Sequence, residues 1–155
     1  MQTTPLNQIP ANARGTYALI LSLPATHRIR IGRLGTFEFG AGDYLYVGSA
    51  LGPGGLRARL RHHLRPASNP RWHLDYLRPF AIPEAIGYVI HPERLECTWA
   101  FILRTLPGIS IPVPGFGASD CNCSSHLFFS HHFPGLAILF EQQRVQGSVT
   151  GLLKI

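Results

Sequence analysis

The chain has 155 residues, 45% of them hydrophobic and 14% charged, with 14 basic against 8 acidic side chains and a net charge of +6. A chain of that length is one ordinary domain able to bury roughly 70% of its unfolded surface, which excludes two independent cores and disorder, and removes any need for disulfides in bulk stability. Lys154 is the sole lysine, so nearly all the positive charge is arginine, whose planar fork suits phosphate; an anionic partner is expected.

Residues 1–13 hold Pro5, Pro10 and several amides without periodicity and read as a polar tail, with a single domain over 14–155. No basic segment followed by an apolar run opens the chain, and no apolar stretch approaches the roughly 18 residues of a membrane span. A cytoplasmic protein with no membrane partner is expected. Thr16 to Leu23 is apolar and closes at Pro24, which predicts a buried strand. His27 to Ile31 alternates polar with apolar, Thr36 to Phe39 continues extended, and Tyr44 to Val47 follows a glycine turn; together these predict an antiparallel sheet. Leu56 to Leu64 predicts a helix stopped by Pro66, and Trp72 to Leu77 a shorter one ending before Pro79. Ala85 to Ile90 predicts a strand and Arg94 to Leu106 a helix, followed by a Pro/Gly loop over 107–120. Leu127 to Phe129 and Leu136 to Phe140 are expected as late strands. This order predicts an α+β domain with a small antiparallel central sheet flanked by helices.

The helix from Leu56 to Leu64 separates into faces. At about 100° per residue, Leu56, Leu60 and Leu64 share an arc roughly 80° wide that faces the core. Arg57, Arg61 and Arg65 recur every fourth residue on one flank and read as a solvated basic stripe. Arg59 and His63 lie together on the opposite flank, a cation and an imidazole held at the core edge. With Trp72 and Tyr76 interleaved among arginines and histidines, and Asp75 as the lone acid between residues 57 and 78, this stretch has the electrostatic footprint of nucleic-acid binding.

Gly15-Thr16-Tyr17 at the start of the first strand and Tyr46-Val47-Gly48 at the end of the third resemble the two signature triplets of the GIY-YIG nucleases. A helix bearing Arg59 follows the second triplet. The runs Trp72-His73-Leu74-Asp75-Tyr76-Leu77 and Gly117 to Leu127, through Cys121, Cys123 and His126, are similar to the Uri-type endonuclease branch. The resemblance spans about residues 14 to 140. It implies a GIY-YIG-like fold and a metal-dependent endonuclease that leaves 5′-phosphate and 3′-hydroxyl ends on DNA. It further implies that Tyr17 takes a proton from the attacking water, with its pKa lowered by Tyr46, His63 or the metal, and that Arg59 holds the phosphate. Glu96, at the edge of the apolar stripe Leu95, Trp99, Ile102, Leu103 and Leu106, is the implied ligand of Mg²⁺ or Mn²⁺. His73 is a further polar contact to substrate. The alternative is a non-catalytic nucleic-acid-binding module on the same fold.

Cys121-x-Cys123-x-x-His126 offers soft ligands at close spacing, whereas a structural zinc site takes four. A fourth donor would come from Cys97, His131 or His132. One Cys-x-Cys lacks the second paired half of a zinc ribbon, so packed cysteines with a structural histidine are the favoured reading and zinc the alternative.

Overall fold

The computed structural model describes residues 5–119, 121–133 and 149–155. Strands β1 (Gly15–Leu23), β2 (His27–Ile31), β3 (Gly35–Phe39) and β4 (Gly42–Ala50) lead into helices α1 (Gly55–His63) and α2 (His73–Leu77). Then come β5 (Ile82–Ile90), helix α3 (Glu96–Thr105), β6 (Leu127–Ser130) and β7 (Val149–Lys154). The five-stranded sheet has the order β6-β4-β1-β5-β7, and all its pairings are antiparallel. The fold is α+β. Leu136 to Phe140, expected as a strand, lies outside the described residues.

Alternation along the central strands divides their side chains between two cores. Tyr17, Leu19 and Leu21 of β1 join Tyr44, Tyr46, Ile86 and Tyr88 on one face, against Leu56 and Leu60 of α1 and Leu74 and Leu77 of α2. Ala18, Ile20, Leu45 and Val47 face the other way, onto Trp99, Ala100 and Leu103 of α3. Helices therefore cover both faces, and the leucine register of α1 lies where its periodicity places it.

Two expectations are corrected. Strands β2 and β3 do not extend the central sheet but form a separate two-stranded sheet, registered from His27 opposite Phe39 to Ile31 opposite Gly35. Alternation identifies such strands without naming the strand they pair with. The segment read as a polar tail contains a 3₁₀ helix over Pro5–Gln8, and Leu6 and Ile9 are buried at 2% and 0% exposure. Its end is tied to α1, where the Leu56 N–H donates to the Ala13 carbonyl at 2.8 Å. Two apolar side chains under a helix are enough to anchor the segment, yet too few to show a period.

Candidate active site

Four side chains from three elements meet on the face covered by α1. Tyr17 of β1 and Tyr46 of β4 have ring centroids 6.4 Å apart. His63, in the last turn of α1, lies 5.6 Å from the Tyr17 ring and 5.7 Å from that of Tyr46. The Tyr17 Oη and His63 Nε2 are 2.7 Å apart in a buried hydrogen bond. Arg59, one turn before His63, lays its guanidinium 4.5 Å from the centre of the Trp72 ring and donates to the Ser49 carbonyl at 3.3 Å. The flank that periodicity assigns to Arg59 and His63 is thus the flank that meets both tyrosines.

The backbone around these groups is close-set. Gly48 stands opposite Tyr17 in the β1–β4 register, and a Cβ there would lie 2.4 Å from the phenol oxygen. At Gly15 a Cβ would come within 1.9 Å of the Val89 carbonyl oxygen on β5. Thr16, between Gly15 and Tyr17, accepts a hydrogen bond from the Leu95 N–H through Oγ1 at 3.1 Å. That bond fixes the start of α3, and with it Glu96, beside the first residues of β1.

Electrostatics define the protonation states. Burial pushes Tyr17 well above its ordinary value of 10, Tyr46 and Glu96 add to the rise, and Arg59 opposes it. Tyr46 is likewise pushed up, by burial first and by Glu96 second. Of the groups expected to lower the Tyr17 pKa, Tyr46 raises it instead, and both phenols are neutral. His63 is held neutral too, lowered from 6.5 to about 3 by burial and by Arg59, with Asp75 opposing. With both rings neutral, the phenol O–H donates to His63 Nε2 when the imidazole carries its proton on Nδ1. The His63 Nδ1 is buried with no hydrogen-bond partner among the described residues.

Asp75 supports this arrangement from behind, a role that its place in the sequence does not reveal. At 2% exposure it accepts from His62 Nε2 at 2.8 Å and from the backbone N–H groups of Arg71 and Trp72. His62 stacks edge-on against Trp72, with centroids 4.6 Å apart. His62, His63 and Asp75 bring possible ligand atoms within 4.8 Å of one another. There His62 is bonded to Asp75 and His63 to Tyr17, so the group is held by two separate hydrogen bonds.

The arginine stripe divides. Arg61 and Arg65, both exposed, line an open cleft of about 640 Å³ with His62, Ser68, Asn69 and Arg71. Arg57 is turned instead to the N-terminal segment, donating to the carbonyls of Ile9 and, at 3.1 Å, of Asn7. Its guanidinium closes the fold there through Nε and Nη2. His73 also serves the fold: its Nδ1 accepts from the Gly117 N–H at 2.7 Å, and burial lowers its pKa.

Glu96 opens α3 with a side chain 12% exposed. One carboxylate oxygen lies 3.7 Å from Arg94 Nη1 and the other 4.0 Å from His126 Nδ1. The carboxylate is near enough to both phenols to oppose their ionisation. On its other side, Cys97, Cys121, Cys123 and His126 place one possible ligand atom each within 4.8 Å of one another. Of the three proposed fourth donors, Cys97 is the one the fold brings to this group.

An α+β domain with paired buried tyrosines, a histidine and an arginine on one face of its sheet, and a basic cleft lined by Arg61 and Arg65, is the class that fold and site define. The chain belongs to the family described as domain of unknown function DUF123, whose model matches residues 16–144. No curated protein and no solved structure matches it. Among the described residues, no helix is long and apolar enough to cross a membrane.

Proposed function

We propose that this chain is a metal-dependent endonuclease of the GIY-YIG superfamily, Uri-type branch, acting in the cytoplasm on DNA phosphodiester bonds. The observation that carries the reading is the Tyr17–His63 hydrogen bond, with Arg59 and Tyr46 beside it; the cleft lined by Arg61 and Arg65 adds a basic surface on the same helix. A neutral phenol bonded to a neutral imidazole accepts a proton by relay. Water attacks phosphorus and gives its proton to the Tyr17 oxygen, while the Tyr17 proton passes to His63 Nε2. The bond from phosphorus to the 3′-oxygen breaks, and that oxygen takes a proton from solvent, leaving 5′-phosphate and 3′-hydroxyl ends. No free phenolate forms, so the raised pKa of Tyr17 is no obstacle. Arg59, held over Trp72, binds a non-bridging oxygen; the phosphate then balances the Arg59 charge, which after burial is the second cause opposing protonation of His63.

Glu96 is the residue that would hold Mg²⁺ or Mn²⁺. A single partly exposed carboxylate, close enough to both phenols to raise their pKa, suits an ion using one or two carboxylates and completing its shell with substrate and water oxygens. Such an ion, when bound, neutralises the phosphate and stabilises the leaving oxygen.

Full burial of Tyr17, at 0% exposure, is what favours the second reading, a module that binds nucleic acid without cutting it. Mg²⁺-dependent nicking of plasmid and of branched oligonucleotides separates the two. The parent cleaves, Glu96→Gln loses orders of magnitude while keeping metal-free DNA affinity, and Glu93→Gln stays near the parent. A parent that binds DNA yet cleaves nothing with Mg²⁺ or Mn²⁺ hands the lead to the binding module.

A further inference from the structure

We propose that Cys97, Cys121, Cys123 and His126 form a structural zinc site. It is independent of whether the chain cuts DNA.

The donors come from separate parts of the chain. Cys97 lies in the first turn of α3, Cys121 and Cys123 in the loop after Gly117, and His126 immediately before β6. Zinc–sulfur bonds of about 2.3 Å and zinc–nitrogen bonds of about 2.0 Å in a tetrahedron give donor-to-donor edges of roughly 3.5 to 3.8 Å. The His126 Nε2 lies 3.4 Å from the Cys121 Sγ and 4.0 Å from that of Cys97, and all four donors fall within 4.8 Å of one another. That spacing suits one ion. It is too tight for a cluster whose ligands are spread over two irons. Three thiolates with one imidazole are a recognised structural zinc set, and four protein donors leave no open position for substrate.

The surroundings match as well. His126 presents Nε2 to the sulfurs, which leaves Nδ1 toward the Glu96 carboxylate, 4.0 Å away. A ligating histidine characteristically directs its second nitrogen at a carboxylate or carbonyl, which orients the ring. His126 is 2% exposed, and its backbone is held at both ends: its N–H donates to Phe116 at 2.8 Å and its carbonyl accepts from Val47 at 3.0 Å. Zinc displaces three thiol protons to solvent, and the loaded site carries one net negative charge. Arg104 stands at hand, bonded to Ser124 Oγ at 3.2 Å and sharing a cavity of about 300 Å³ with Cys97 and Cys123.

Such an ion clamps the loop after Gly117 to α3 and to the edge of the sheet beside Tyr46. Because Glu96 precedes Cys97 and faces His126, the zinc also positions Glu96 without contacting substrate.

The test uses the full chain purified under reducing conditions. Elemental analysis should find close to one zinc per chain. Replacement by Co²⁺ should give the intense d–d bands of a tetrahedral site with thiolate-to-cobalt charge transfer, both abolished by added Zn²⁺. Cys121→Ser/Cys123→Ser should lose the metal; Cys97→His, which keeps four donors, should retain it with weaker charge transfer. Glu96→Gln should keep its zinc whatever it does to cleavage. A folded parent that purifies without zinc and takes up Co²⁺ with no charge-transfer band overturns the assignment. So does a double serine variant that binds zinc as the parent does, since the ion then lies elsewhere.

Discussion

Replacing Gly48 by alanine tests the close approach of the β4 backbone to the Tyr17 phenol. The added Cβ would lie 2.4 Å from the Tyr17 oxygen and 2.6 Å from Cζ, well inside van der Waals contact. Tyr17 is fully buried between Tyr46 and His63, so its ring can relieve the clash only by moving its hydroxyl off the 2.7 Å bond to His63. Overpacking of this kind costs about 1–3 kcal/mol, and a buried hydrogen bond left unmade adds about 1–3 kcal/mol more. The expected loss is about 2–6 kcal/mol, which for a domain of this size lowers Tm by roughly 4–24 °C. Denaturation of the parent, Gly48→Ala, Tyr17→Leu and the double variant closes a cycle. In the Tyr17→Leu background, where the ring and its hydroxyl are gone, Gly48→Ala should cost little. A Gly48→Ala protein within about 0.5 kcal/mol of the parent, or the same cost in both backgrounds, would refute the clash as the reason for glycine there.

Three further outcomes are expected. Arg61→Ala/Arg65→Ala should flatten the salt dependence of DNA binding by about 0.9 log unit per lost duplex-phosphate contact, whereas Arg57→Ala should lower stability and leave that slope alone; equal slopes in both would place the DNA surface elsewhere. Ile9→Ala should cost about 2–5 kcal/mol in urea denaturation if the N-terminal segment belongs to the core, and nothing measurable if it is a tail. His63 has a folded pKa of about 3 against an ordinary 6.5, so the unfolded chain takes up a proton between those values that the folded chain refuses. The stability from His63 is therefore complete above 6.5 and drains away as the pH falls toward 3. The acid limb of a denaturation series should be shallower in His63→Gln, and parallel limbs would count against burial as the cause.

Local pattern made the central strands and α1 legible. The spacing of Leu56 and Leu60 orients the helix, and that orientation sends Arg59 and His63 toward the tyrosines before any contact is known. Features that depend on distant pairing are hidden. Nothing in Arg57 distinguishes it from Arg61, because its role comes from the carbonyls of Asn7 and Ile9, nearly fifty residues earlier. Cys97 looks like an isolated helical cysteine until the loop bearing Cys121 and Cys123 folds onto α3. Asp75 reads as one acid in a basic run, yet it is buried and fully bonded. The protonation of Tyr17 was the least readable property, since burial, which only the assembled fold supplies, outweighs the neighbouring arginine.

The strand that carries Tyr17 is hydrogen-bonded on both sides, to β4 and to β5, along nearly its whole length. Its amides have no route to solvent by local fraying, so their exchange with deuterium should require global unfolding and proceed far more slowly than that of the amides around Arg65, past the end of α1. The phenol is thus as permanent as the domain itself. Any rearrangement that accompanies ligand binding falls to the α1 end and to the loops, and the Tyr17 backbone serves as the fixed reference against which that motion can be measured.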